Sequence, residues 1–594
     1  MAKLVSSTNR IMTSDHHFRE RTHLLDTLWS YQSQKGFISD ADVNAVAEHL
    51  ELSAVEVEGV ISFYHFFHRK PAGRYPIYLN TSITAQHGGY EQVRKALEKA
   101  TGAPWGGVSP DGLFGLYDTS CIGLSDLEPA ALIDFQPFTR LTPIKVDGII
   151  RQLRHGADPA TLADEVPHHI QYTPPSERTV LLRPSAIGQT LGRLADYTPR
   201  EALTEIEQSG LRGMGGAFFP IGAKWRICGE QPASPKYVLC NADEGEPGTF
   251  KDRVLLQAHP ELVVDGMILA AYCIGSSEGM IYLRAEYRWL LPELEALLQR
   301  YREAGWLGRN LPVKEPFDFD IRIQLGAGAY VCGEETAMIN SLEGQRGEPS
   351  VRTYFPVERG FLGKPTVVNN VESFAAAARV LEMGAQRFNE LGTSSTPGTR
   401  LLSVSGDCDR PGVYEIEWGM SLGELLKLCG ARQSKFIQVS GPSGTCVAAD
   451  QVFRRFDTED LRCGGAVTIF NQERDLLRVL RNFTEFFKEE SCGVCTPCRA
   501  GNFIFSRKLD RLAKGLGRPE DRIEIANWTR IMQQASRCGL GKAATRALNT
   551  SMQAFPEYFD CLFGETTECA YSSFDLESAL RPYRQAVKAQ NPEA

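Results

Sequence analysis

The stretch Lys236-Tyr237-Val238-Leu239-Cys240-Asn241-Ala242-Asp243-Glu244-Gly245-Glu246-Pro247-Gly248-Thr249-Phe250 decides how the middle of the chain is read. Its first part, Lys236 to Cys240, is a short apolar run of strand type, and it breaks into an acidic, glycine-rich loop. Upstream, Thr198 to Gln208 has helical periodicity. Downstream, a helix over Leu262 to Ile274, a strand over Gly279 to Leu283 and a helix over Leu291 to Ala304 follow in turn. Strand and helix in alternation predict a largely parallel sheet covered on both faces, and the carboxyl ends of such strands are where ligands bind.

Working outward, 594 residues are too many for one hydrophobic core, so several domains are expected. His16 to about Phe67 carries helical periodicity through Leu24, Leu25, Leu28 and Trp29. Strand patterns at Tyr75 to Leu79 and Leu113 to Tyr117 flank a helical stretch, Tyr90 to Lys99. The Pro-rich and charged segment after His155, with Pro174-Pro175, shows no sustained period and is expected to be a linker. Short strands at Leu401 to Ser405, Gly412 to Glu417 and Phe436 to Ser440 surround a helix at Leu422 to Leu428, an α+β module. From Phe470 onward the pattern is that of a helical bundle. The expected class is thus α/β multidomain, divided as 1–165, a linker over 166–197, 198–399, 400–464 and 465–594.

The net charge of -9 argues against nucleic acid as a partner, because phosphate neutralisation needs an excess of clustered cations. No apolar run reaches the length of a membrane span, Leu262 to Gly275 being interrupted by Asp265. The first twenty residues lack an apolar core of signal type, so the expected compartment is the cytoplasm. Fifteen scattered cysteines do not form a secreted disulfide framework. Most read as buried thiols, among them Cys240, Cys273 and Cys429.

One group is different. Ser491-Cys492-Gly493-Val494-Cys495-Thr496-Pro497-Cys498 places thiols at three-residue steps, and Cys538 follows within Arg537-Cys538-Gly539. Three thiolates and one remote thiolate suit the corners of a four-iron cluster, whose soft iron prefers sulfur. A structural zinc site is the alternative, although zinc ligands more often pair two and two. Cys561 and Cys569 are expected to be bystanders.

The loop Gly210-Leu211-Arg212-Gly213-Met214-Gly215-Gly216-Ala217-Phe218-Phe219-Pro220 would let backbone N-H groups approach a phosphate or a flat ring. It matches neither the NTPase phosphate loop nor the dinucleotide fingerprint. The Asn241 to Phe250 loop, Gly326-Ala327-Gly328-Ala329-Tyr330-Val331-Cys332-Gly333-Glu334-Glu335 and Asn369-Asn370 read either as solvated helix caps or as one cofactor site.

These motifs, with Gly-Lys-Pro-Thr-Val-Val-Asn-Asn at Gly363 to Asn370, resemble those of the flavin-binding NADH dehydrogenase subunits of respiratory complex I, NAD-reducing hydrogenases and NAD-dependent formate dehydrogenases. The resemblance covers about Thr198 to Phe559. It implies a Rossmann-like FMN domain, a ubiquitin-like module over Arg400 to Arg462 and a C-terminal bundle bearing a [4Fe-4S] cluster on Cys492, Cys495, Cys498 and Cys538. It implies FMN contacts at Gly213, Gly215, Gly216, Lys224, Asn241, Asp243, Glu244, Tyr330, Gly333, Glu334, Asn369 and Asn370. For NAD(H) it implies Phe219, Glu246, Glu335, Arg352 and Phe355; from its negative charge, Glu335 is expected to tune release of the positively charged oxidised nicotinamide.

Family members commonly show Arg, Gly and Thr where this chain has Met214, Phe218 and Ile221. The first 160 residues or so are similar to a thioredoxin-like subunit that normally carries a two-iron cluster. Asn80 to Ala85 stands where two cysteines would sit and Cys121 remains alone, so a cluster-free scaffold is expected. This fused arrangement most resembles the diaphorase α subunits of soluble NAD-reducing [NiFe] hydrogenases. The implied partners are a small iron-sulfur diaphorase subunit and [NiFe] hydrogenase subunits. The flavin subunit of a formate dehydrogenase and a non-catalytic scaffold are the alternatives.

Overall fold

The computed structural model describes residues 21–564. Cys569 and the first residues of the expected N-terminal helical segment lie outside the described residues. That segment is a set of helices, Leu24–Lys35, Asp40–His49 and Ala54–Ile61, the last two begun by capping boxes at Ser39 and Ser53.

The sheet that follows has the spatial order Phe114–Thr119, Tyr75–Asn80, Ala131–Ile133, Gln136–Phe138. The first pair is parallel across the helix Tyr90–Thr101, and the rest is antiparallel. This is a thioredoxin-like arrangement. Its last two strands, three residues each, were too short to register as a period in the sequence.

In the central domain the strands stand in the order Asp320–Leu325, Glu278–Leu283, Tyr237–Ala242, Thr366–Asn370, all parallel. The chain moves outward from Tyr237–Ala242 in one direction and returns on its other side with Thr366–Asn370. The topological switch point therefore falls between these two strands, and the crevice at their carboxyl ends is the ligand position of such sheets. There Asn241 stands in register with Asn370, and Cys240 with Asn369. Helix Pro260–Ile274 is almost wholly buried, with Asp265 its one buried charged group, which makes it a core helix. Among the described residues no single helix is long and apolar enough to cross a membrane.

The α+β module is a six-stranded mixed sheet in the order Thr445–Ala448, Ser434–Val439, Ala466–Asn471, Thr399–Gly406, Gly412–Glu417, Ile170–Tyr172. Two features differ from expectation. Ala466–Asn471 lies beyond the expected boundary at 464, yet it pairs with both Thr399–Gly406 and Ser434–Val439 inside the sheet. The segment 166–197 is packed rather than a free linker: Ile170–Tyr172 adds an edge strand, and Leu181, Leu191 and Leu194 are fully buried. Asp265 anchors it, accepting from Thr190 Oγ1 at 2.6 Å and from Tyr301 Oη at 2.7 Å. Helices Leu476–Glu489, Thr496–Ala513 and Pro519–Ala535 then form the C-terminal bundle.

Candidate flavin and iron-sulfur site

The glycine loop is closed on itself by Gly213 N donating to Phe219 O at 2.9 Å and Ile221 N donating to Leu211 O at 2.9 Å. A Cβ added at Gly215 would stand 3.4 Å from the Asn370 Cβ, so the loop lies over the end of Thr366–Asn370. Gly216 adopts φ +98°, a conformation open to glycine and costly for other residues. Helix Ile221–Gly229 starts from this loop and carries Lys224 inward. Lys224 Nζ donates to Val368 O at 2.6 Å and lies 3.4 Å from Glu335 Oε2.

Several of the remaining expected residues meet at the same strand ends. Asn241 Nδ2 donates to Gly333 O at 2.8 Å, tying together the ends of two motifs distant in sequence. Glu334 caps helix Glu335–Leu342, accepting from Thr336 N and Ala337 N, and its other oxygen takes Arg352 Nη2 at 2.7 Å. The Asn369 side-chain oxygen is buried without a hydrogen-bond donor, a cost of about 1–3 kcal/mol unless a bound group supplies one. With glycines around it and a lysine beside it, that orphaned acceptor fits a flavin, whose ring and ribityl chain carry donors.

Phe219 and Phe355 are 51% and 59% exposed, and they precede the adjacent helices Ile221–Gly229 and Pro356–Arg359. Arg352 joins them at the rim. Two carboxylates face inward instead. Glu244 accepts from Asp252 N at 2.8 Å and Tyr287 Oη at 2.8 Å, capping helix Lys251–Ala258, and burial raises its pKa to about 7. Glu246 accepts from Tyr330 Oη at 2.5 Å and Ser443 N at 2.8 Å, which sets it beneath Tyr330 rather than at the exposed rim. Burial also raises the Asp243 carboxyl well above the usual range.

Sequence reasoning missed Lys251. It is buried below Asn370 and paired with Asp252 at 2.6 Å and Glu372 at 2.9 Å. A lysine at the start of a helix carries no signal of burial. The departures in the glycine loop have a physical account: Phe218 holds φ +56°, where a glycine would be unstrained, and its ring packs on Trp418 at 5.9 Å. Arg400 lies over that ring at 5.4 Å and donates to Met214 O at 3.2 Å.

Cys492, Cys495, Cys498 and Cys538 come together in one small apolar cluster with Val331, Ala337, Phe487 and Leu540. Cys495 and Cys538 stand at the N-caps of helices Thr496–Ala513 and Gly539–Ala543. Burial pushes the Cys498 thiol up to about 12, so bound metal must displace its proton. Tyr330 packs against the same apolar cluster, its ring 4.9 Å from that of Phe486. The thiols and the crevice therefore share a wall.

Residues 206–379 match the family of the Nuo51 FMN-binding domain, and residues 478–561 that of the NADH-ubiquinone oxidoreductase-F iron-sulfur binding region. This second match is to an iron-sulfur rather than a zinc family, and its span contains all four thiols. Residues 9–154 match a thioredoxin-like [2Fe-2S] ferredoxin family. The chain is 47% identical to the NAD-reducing hydrogenase HoxS subunit alpha of Cupriavidus necator, covering 98% of both chains. It is 37% identical to an NADH-quinone oxidoreductase subunit of Aquifex aeolicus, over 63% of this chain and 88% of that one. A chain from the crystal structure of an NAD+-reducing [NiFe]-hydrogenase in the H2-reduced state superposes with a TM-score of 0.86 at 36% identity, covering 96% of this chain and 98% of that chain. Sequence identity over nearly the whole of both chains and the superposed fold agree, and this chain belongs to the family of NAD-reducing hydrogenase alpha subunits.

Proposed function

We propose that this chain is the diaphorase subunit of a hydrogenase, exchanging hydride between NAD(H) and FMN and passing single electrons through a [4Fe-4S] cluster on Cys492, Cys495, Cys498 and Cys538. A bound flavin supplies the conversion between hydride and single-electron chemistry that neither nicotinamide nor an iron-sulfur cluster performs alone. The chain's own residues bind and orient. Lys224 holds positive charge at the pocket floor, Asn241 and Asn369 present amides, and Phe219 and Phe355 offer ring faces at the entrance.

The observation that carries this reading is the apolar cluster shared by Tyr330 and the four thiols, which puts the crevice loop beside those cysteines. A single group of four thiols leaves electrons to be delivered by another chain. A hetero-oligomer with a small iron-sulfur subunit and [NiFe] hydrogenase subunits, reducing NAD+ with electrons from H2 in the cytoplasm, is the assembly we assign. The name of the Cupriavidus relative supports it. Within the thioredoxin-like domain we place no two-iron cluster, since Cys121 is its single cysteine and lies buried.

Anaerobic purification followed by flavin, iron and sulfide analysis tests the reading, together with NADH-driven dye reduction. Equimolar FMN with sulfide-bridged iron is expected. A preparation with neither would overturn it.

A further inference from the structure

The thioredoxin-like domain has lost the thiols its family uses, yet the loops that remain are engaged. Thr81 O accepts from Asn482 Nδ2 at 3.0 Å, and Ile83 is buried in the core of the C-terminal helices. On the neighbouring loop Cys121 O accepts from Arg284 Nη2 at 2.7 Å. A Cβ at Gly123 would fall 2.1 Å from Tyr287 Oη, so this loop touches the central domain as closely as a glycine allows. Ser120 Oγ donates to Glu490 Oε1 at 2.8 Å.

Glu490 is the residue on which these contacts converge. It ends helix Leu476–Glu489 as its C-cap and lies two residues before Cys492. Its second oxygen, Oε2, accepts from Tyr330 N at 2.9 Å. One carboxylate thus joins three parts of the molecule: a hydroxyl of the thioredoxin-like domain, a backbone amide of the crevice loop, and the peptide that carries the thiols. Hydrogen bonds to a carboxylate are the stronger kind, and two of them from different domains fix the side chain in place.

We infer that the loop Ser120 to Gly123 is a clasp and that Glu490 is a positioning residue, held by Ser120, which sets the Tyr330 loop against the thiol-bearing segment. The inference rests on the electron path proposed above. It gives the domain a use without iron: it fixes the separation between crevice and cluster, while Glu490 touches no reacting atom. Helix Leu476–Glu489 is gripped by this domain at Asn482 and just past its end at Glu490, so it cannot pivot away from Tyr330 without breaking both contacts.

The test uses the full chain in its complex, with Ser120→Ala, Ser120→Thr and wild type compared. Three readouts are taken: hydrogen exchange of the peptide containing Tyr330, the electron paramagnetic resonance spectrum of the reduced cluster, and stopped-flow absorbance after mixing with NADH. Ser120→Ala is expected to speed Tyr330 exchange about tenfold, equivalent to about 1.4 kcal/mol. It should also slow the cluster phase several-fold and shift the cluster spectrum, leaving the earlier flavin phase unchanged. Ser120→Thr, which keeps the hydroxyl, should restore all three. Wild-type exchange and cluster kinetics in Ser120→Ala would overturn the clasp, as would equal slowing of both phases. If wild type shows no flavin or cluster absorbance, the electron path itself falls, and the exchange measurement still decides whether Ser120 holds the Tyr330 loop.

Discussion

Glu335 Oε2 lies 3.4 Å from Lys224 Nζ, and the same carboxylate reaches Arg352 Nη2 with its other oxygen at 3.6 Å. One negative charge is therefore divided between a cation at the floor of the crevice and a cation at its rim. Lys224 and Glu335 are each about a fifth exposed, so their interaction is screened only in part.

Neutralising that carboxylate removes the counter-charge of Lys224 and the weaker of the two that face Arg352, which keeps Glu334 at 2.7 Å, so positive charge rises near the place assigned to the nicotinamide. Glu335→Gln should therefore weaken binding of NAD+, whose ring is positive, more than binding of NADH. A loss of about 1 kcal/mol, roughly fivefold in affinity, is expected for a partly screened charge. Titration of both nucleotides by flavin fluorescence measures it. NAD+ affinity equal to wild type would rule out a tuning role for Glu335.

Phe218 gives a prediction of unusual sign. A non-glycine residue at φ +56° carries about 1–2 kcal/mol of backbone strain, which packing against Trp418 and Arg400 offsets. Phe218→Ala loses the packing, about 3–5 kcal/mol, and keeps the strain. Phe218→Gly loses the packing and sheds the strain. Denaturant unfolding should place Phe218→Gly above Phe218→Ala by about 1 kcal/mol, with both below wild type. The reverse order would mean that the loop does not hold this conformation.

Much of this was legible beforehand. The strand Gly412–Glu417 and helix Leu422–Cys429 follow plain periodicity, and the spacing of the thiols in Cys492 to Cys498 needs no partner to be recognised. Asp320–Leu325 was not read as a strand, although Ile321, Ile323 and Leu325 alternate with polar residues as those of an edge strand do. Ile170–Tyr172 could not be read at all, since its pairing with Gly412–Glu417 is decided by tertiary contact across some 240 residues. In the site, the motif residues were visible as glycines and acids at strand ends. Lys251, Arg400 and Glu490 were not, because their roles come from burial and from partners in other domains.

Asp265 links the stability of the packed segment 166–197 to pH. Burial raises its pKa from 3.8 to about 6, against the hydrogen bonds from Thr190 and Tyr301 that lower it. A carboxyl raised in the folded state binds protons more tightly there than in the unfolded chain. Its stabilisation is present in full below pH 3.8 and is lost as pH rises through about 6. Asp265→Asn should remove this contribution, on the order of 3 kcal/mol, from the slope of stability over that window. Unfolding curves at several pH values report it, and parallel slopes in the two proteins would contradict the assignment.

Cys538 and Cys446 separate a ligand from a packed thiol. Both are shielded, but Cys538 stands at the N-cap of Gly539–Ala543 beside Cys492, Cys495 and Cys498, whereas Cys446 sits among Phe436, Phe470 and Leu548 in the core of the bundle. A cubane cluster with one thiolate withdrawn loses a corner ligand, so Cys538→Ser should come out of anaerobic purification with iron and sulfide strongly reduced. Its flavin content should stay at the wild-type level, because the crevice is built from the parallel sheet and the glycine loop. Cys446→Ser should keep iron, sulfide and flavin alike with only a small change in unfolding midpoint, because the new hydroxyl faces the buried Ser551 hydroxyl. Wild-type iron and sulfide in Cys538→Ser would remove this residue from the ligand set, and equal iron loss in Cys446→Ser would show that the bundle's packing rather than the thiol governs retention.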